Sequence, residues 1–145
     1  MSKPRILVVE DSSSIRQWFV SVLTSSAEVA TAGNGLEAIN QVWTAWERRK
    51  PYEAILMDIV MPVMDGLTAV KEIRRLERQQ WPDGSRCCSI VVVSRLTDPE
   101  DILQAQYHCG ADGYVTKPCA ASTVLQTIAN LGIDLHQART QRCRL

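Results

Sequence analysis

No stretch of membrane-spanning length is free of charge, and no basic-then-apolar leader opens the chain: Lys3, Arg5, Glu10 and Asp11 bracket only the short apolar run 6–9. Membrane insertion is therefore not expected, and a cytoplasmic location is. An excess of one charge is also missing. Sixteen Lys and Arg balance sixteen Asp and Glu spread along the chain, which offers no large electrostatic footprint to nucleic acid or an anionic membrane. Partners must be recognised by shape and local charge. The five cysteines, Cys87, Cys88, Cys109, Cys119 and Cys143, form an odd set without CxxC or Cys/His spacing. This disfavours zinc and a disulfide framework and predicts free thiols in a reducing compartment. His108 and His136 have no partners at catalytic spacing, and no internal repeat or low-complexity linker interrupts the chain.

What is present is 145 residues, 46% of them hydrophobic, enough for one domain with a substantial core. Residues 1–132 are expected to form that domain, with 133–145 a tail or the start of a linker. The apolar run 6–9 ends at Glu10-Asp11 and reads as a strand buried on both faces. Ser12 to Ser14 supply N-cap candidates for a helix whose inward face is Ile15, Trp18, Phe19, Val22 and Leu23. A second strand over 28–32 leads through Gly33-Asn34-Gly35 into a helix over about 36–49, with Ala38, Ile39, Val42, Trp43 and Trp46 inward. A third strand, 54–57, ends at Asp58, and a third helix over about 66–78 carries Leu67, Val70, Ile73 and Leu76. The polar stretch 79–86, with Pro82-Asp83-Gly84, reads as a loop holding one unusual aromatic, Trp81; either a contact site or a loop tucked onto its own helix accounts for it. The strand 89–93 ends at Ser94. A fourth helix opens with capping-box spacing at Thr97 and Glu100 and stops at Gly110. A short strand over 113–116 and a helix over 121–131 complete the order. Strict alternation of strand and helix five times over predicts a parallel sheet covered on both sides.

In such a sheet ligands bind beyond the carboxyl ends of the strands. Glu10 and Asp11, Asp58, Ser94 and Lys117 each follow a strand, so they are expected to converge. Crowded carboxylates repel one another, and a hard cation such as Mg²⁺ (or Mn²⁺) keeps them ionised. A carboxylate flanked by a metal can attack phosphorus, which makes Asp58 the nucleophile, Asp11 a direct metal ligand, Glu10 a ligand through water and Lys117 the ammonium that neutralises phosphoryl oxygens. The Ser94 hydroxyl can bond a phosphoryl oxygen only when the phosphoryl is there. Glu10 and Asp11 are alternatively an N-cap pair for the first helix.

The stretch from Ile6 to Asp11, Met57-Asp58 through Met61-Pro62-Val63-Met64-Asp65-Gly66, and Gly110-Ala111-Asp112-Gly113-Tyr114 with Lys117-Pro118 together resemble the receiver domain of two-component response regulators, of the CheY-like kind, over about residues 4–131. The resemblance implies an α/β flavodoxin-like (βα)5 fold with strand order 2-1-3-4-5, an order the general rule for doubly wound sheets illustrates with a member of this family. It also implies phosphoryl transfer from a sensor histidine kinase or phosphotransfer protein, the Val60 backbone carbonyl as a further metal ligand, and Ser94 and Tyr114 as paired switch residues. These would alter the surface of the fourth helix, fifth strand and fifth helix toward a downstream target, an output domain or a homodimer partner. The chain departs from the family pattern after Ser94: the segment to Gly110 is one residue longer, and Arg95 stands where a small residue is usual. Arg95 could shield the phosphoryl, bind it or point to solvent, and a shifted loop would make Thr97 the hydroxyl. Two other functions compete. A metal-dependent phosphatase of haloacid-dehalogenase type would want an aspartate two residues after the nucleophile, where Val60 stands. A receiver-shaped interaction module would work without phosphate. Direct nucleic-acid binding is not expected, because no helix-turn-helix fits in the tail.

Overall fold

The computed structural model describes residues 3–95 and 110–135. The helix expected from Thr97, the alternative hydroxyl of Thr97, His108, Cys109 and the tail from His136 onward, with Cys143, lie outside the described residues. Five strands, β1 (Arg5–Val9), β2 (Glu28–Ala32), β3 (Ala54–Asp58), β4 (Ser89–Ser94) and β5 (Gly113–Thr116), pair in parallel in the order 2-1-3-4-5. This is the flavodoxin-like order expected. The described helices are α1 (Ser13–Leu23), α2 (Gly35–Glu47), α3 (Gly66–Gln80) and α4 (Ala121–Asn130); α4 is the helix expected fifth in the sequence. Among the described residues no helix is long and apolar enough to cross a membrane.

The continuous apolar runs of β1, β3 and β4 are explained by cores on both faces. Because side chains alternate along a strand, Leu7, Val9, Ile55, Met57, Ile90 and Val92 meet α2 and α3 through Ala38, Val42, Val70 and Ile73. Ile6, Val8, Leu56, Val91 and Val93 meet α1 and α4 through Phe19, Leu23, Val124 and Ile128. Each fully buried aliphatic side chain contributes about 1.5–3 kcal/mol. Two helical layers therefore hold the sheet rigid, and the carboxyl ends of β1, β3, β4 and β5 lie side by side at one edge.

Several local expectations change. Ser12 caps α1, its hydroxyl accepting from the Ile15 amide, so neither Glu10 nor Asp11 does. Helix α2 buries Ala38 and Val42 as expected, with Ile39 and Trp46 packed against the core, but adds Gly35 and Ala45 and leaves Trp43 39% exposed, while Trp18 on α1 is 38% exposed. Small residues let α2 sit close against the sheet and push Trp43 to the flank. Helix α3 extends to Gln80 with Trp81 as its C-cap, which shortens the expected loop. Finally, Ile133 and Leu135 are buried in the second core, so this packed unit continues past residue 132.

Candidate functional site

Each strand end delivers one part of the site. Glu10 directly follows β1; its backbone N–H donates to the Ala32 carbonyl at 3.0 Å, and the Arg16 guanidinium of α1 donates to the Glu10 carbonyl at 2.8 Å. The Ser12 N–H donates to Glu10 Oε1 at 3.3 Å, so the cap of α1 also orients the carboxylate. Asp58 is the last residue of β3 and its Oδ1 accepts from the Ile59 N–H at 2.9 Å. The loop that follows folds back through Gly66 N–H to the Ile59 carbonyl at 2.8 Å. Gly66 is required there, since a Cβ would be driven into the Asp58 carbonyl. Asp65 then caps α3, accepting from the Thr68 N–H at 2.8 Å. Lys117 is tied to the end of β4 by its N–H donating to the Ser94 carbonyl at 2.8 Å.

The expected residues come together. Lys117 Nζ lies 2.7 Å from Glu10 Oε2 and 3.5 Å from Asp58 Oδ1. Carboxylate oxygens of Glu10, Asp11 and Asp58 lie within 4.8 Å of one another. Glu10 is 2% and Asp58 7% exposed, whereas Asp11 is open to solvent. A cavity of about 310 Å³ joins these residues to Ser12, Ile15, Val60, Ser94 and Arg95. Burial first, and then the charge of Glu10, push the Asp58 carboxyl up from 3.8 to about 6, against the opposing pull of Lys117 and the Ile59 N–H. Three carboxylates face one ammonium. That donor set, hard oxygens in excess of positive charge, fits a small divalent cation.

Ser94 is buried at the end of β4 and Tyr114 half-buried in β5. The register pairs Ser94 with Thr116 and Val92 with Tyr114, so by strand alternation the two side chains share the sheet face that meets α2 and α3. Val60 is 67% exposed at the rim. Arg95 lies in the cavity wall and also borders a neighbouring apolar cavity of about 500 Å³ formed with Ile15, Trp18, Phe19 and Pro118. Of the site's supporting residues, Ser12 as an orienting group, Arg16 and the steric role of Gly66 escaped sequence reasoning. Only Gly66 left a signal, as a glycine directly after a capping aspartate.

Comparison with known proteins follows the same line. The response regulator receiver domain family model matches residues 6–129. The chain is 31% identical over 126 residues to the chemotaxis protein CheY of Bacillus subtilis, covering 86% of this chain and 93% of that protein. It is 38% identical over 129 residues to a protein-glutamate methylesterase/protein-glutamine glutaminase of Archaeoglobus fulgidus, but spans only 33% of it. Among solved structures, the chemotaxis protein CheY4 of Vibrio cholerae superimposes with a TM-score of 0.74 at 32% identity, over 89% of this chain and 98% of that one.

Proposed function

The chain belongs to the response regulator receiver domain family, and from that premise we propose that Asp58 accepts a phosphoryl group from the phosphohistidine of a sensor histidine kinase or phosphotransfer protein. The observation that carries the reading is the meeting of Glu10, Asp11, Asp58 and Lys117, delivered by three separate strand ends, in one cavity. Asp58 Oδ1 is engaged by the Ile59 N–H and faces Lys117, so Oδ2 is assigned the attack on phosphorus; the P–N bond to the donor imidazole breaks and its electron pair stays with the histidine. Lys117 is within reach of both carboxylates and turns its ammonium to a phosphoryl oxygen. Receiver domains bind Mg²⁺ at an acidic pocket. Here Asp11, Asp58, the Val60 carbonyl and, through water, Glu10 would hold it, and it supplies the positive charge that the crowded carboxylates and the incoming phosphoryl both need. The half-exposed Trp18 and the apolar cavity beside the acceptor offer the donor protein an apolar footing next to the reacting atoms.

The Ser94 hydroxyl bonds the phosphoryl once it is in place, and Tyr114 on the same sheet face follows it. The resulting conformer, already present in the ensemble and stabilised by the phosphoryl, changes the surface around β5 and α4 toward a downstream protein or output domain. The chain is not a turnover enzyme on this reading; transfer to Asp58 is self-catalysed and loss of the phosphoryl is slow. An exposed valine at position 60 gives a phosphatase no general acid. Intact-mass measurement after incubation with Mg²⁺ and acetyl phosphate should show one added phosphoryl, absent in Asp58→Ala. No adduct on wild type under any donor would defeat the reading, and equal partner affinity of wild type and Asp58→Ala with donor present would favour a module that works without phosphate.

A further inference from the structure

The phosphoryl chemistry uses one edge of the sheet. At the other, where β3 and β4 begin and α2 and α3 end, a groove of about 630 Å³ lies open, within the size range of small-molecule sites. Its walls include Trp46, Arg49, Tyr52, Trp81 and Arg86, none of which the acidic site employs. Trp81 meets Trp46 edge to face, ring centroids 5.0 Å apart, and both indoles keep part of their surface exposed. The aromatic in a polar stretch is thus half of a pair, in a groove that two arginines also line.

Those arginines point to the charge of the ligand. Arg49 follows the C-cap of α2 with φ 58°. The Lys50 N–H donates to the Ala45 carbonyl at 2.9 Å, the six-to-one bond of a helix stop whose left-handed residue is by default glycine. Here that place is filled by a long cation on the groove wall, an arrangement that local backbone preference opposes. Arg86 reaches over Trp81 at 5.7 Å from the ring centroid, near the outer limit of a cation–π contact of about 6 Å, and is loosely held. The acidic residues do not offset them equally. Glu77 is neutralised by Arg74 at 2.7 Å and accepts from the Cys88 N–H at 2.8 Å, leaving Glu53 at the rim. Burial and then Glu77 push the Cys88 thiol up, so the groove offers no ready thiolate pair to a metal.

We propose that this groove binds a nucleoside monophosphate, its base against the indoles of Trp46 and Trp81 and its phosphate held by Arg49 and Arg86. Stacking on indole accepts any base, while two guanidinium groups suit a phosphate by shape as well as charge. The site is independent of the acidic one, which repels anions when no cation is supplied.

Titration calorimetry of the full chain in EDTA, with GMP and AMP as probes, tests this. Binding of either nucleotide is expected, weakened by about tenfold or more in Arg49→Gly and in Trp81→Leu, with inorganic phosphate alone weaker than the nucleotide by a similar factor. Arg49→Gly keeps the left-handed turn without a side chain, so its melting temperature should not fall and loss of binding cannot be ascribed to misfolding. No binding of either nucleotide, equal affinity in Arg49→Gly, or phosphate binding as tightly as the nucleotide would each overturn the proposal. Phosphorylation of Asp58 by acetyl phosphate should be unchanged in Arg49→Gly, so the two sites stand or fall separately.

Discussion

Replacing Asp58 by asparagine should make the metal-free protein more stable. In the fold the carboxyl is pushed from 3.8 to about 6, first by burial and then by Glu10. A folded value above the unfolded one means that the native state holds the proton more tightly than the unfolded chain does. The stabilisation is complete below about pH 4 and is lost as pH rises through about 6. A difference of about two units corresponds to a ceiling of about 3 kcal/mol. The amide keeps an oxygen for the Ile59 N–H now 2.9 Å away, but gives up the charge facing Lys117 at 3.5 Å, so a net gain of about 1–3 kcal/mol is expected above pH 7. For a chain of this size that raises the melting temperature by roughly 3–10 °C. Urea unfolding in EDTA across pH 4–8 should show wild type and Asp58→Asn converging at the acid end and separating as pH rises. Mg²⁺ should close or reverse the gap by stabilising wild type, by about 2.7 kcal/mol at a hundredfold excess over its dissociation constant, with much less effect on the variant. A variant no more stable than wild type at pH 7.5 in EDTA, or a gap that does not change with pH, would refute the reasoning.

Three further outcomes follow from particular contacts. Gly66→Ala places a methyl group against the Asp58 carbonyl and should cost about 3 kcal/mol in urea unfolding; a loss below about 1 kcal/mol would mean that the loop yields easily. Arg74→Met removes bonds to the Gly110 and Cys88 carbonyls, Glu77 and Asp112 and leaves Glu77 buried beside them, at a cost of about 3–5 kcal/mol; adding Glu77→Leu should restore part of it, and simple additivity of the two losses would argue against coupling. Arg95→Ala opens the wall of the acidic cavity and should speed hydrolysis of the phosphoaspartate several-fold, measured by phosphate release after donor removal, whereas an unchanged rate would assign Arg95 to solvent.

The acidic site was legible because its residues follow apolar runs directly. Ile6 to Val9 cannot be exposed, so Glu10 and Asp11 must lie at the strand end, and the same holds for Asp58 and Ser94; topology then brings the ends together. What stayed hidden depends on distant partners. Nothing in the sequence singles out Arg74 and Glu77, three residues apart on α3, yet Glu77 is buried where the carbonyl and amide of Cys88, the Gly110 carbonyl and Asp112 converge on the pair from beyond residue 87. On α2 only Trp43 was misplaced and Ala45 missed, because an indole carries a stronger hydrophobic signal than alanine, although only small side chains let a helix approach the sheet closely. Ile133 and Leu135 gave no periodicity, being only two residues, and the strands they cover are set far earlier in the chain.

The two buried charge clusters show what distinguishes a scaffold from a working site. Around Arg74 every partner is satisfied: Glu77 also accepts from the Cys88 N–H and Asp112 from the Ile90 N–H, both at 2.8 Å, and no ligand is needed to complete it. Around Asp58 three carboxylates crowd within 4.8 Å of one another, and Lys117 pairs with two of them, Glu10 and Asp58. An arrangement left so short of positive charge destabilises the resting fold, and the same shortage is what lets a cation bind and a carboxylate stay reactive beside it. On the proposed reading the strain at Asp58 belongs to function: a sequence that relieved it with a second buried cation would gain stability and lose the place proposed for the metal and the phosphoryl group.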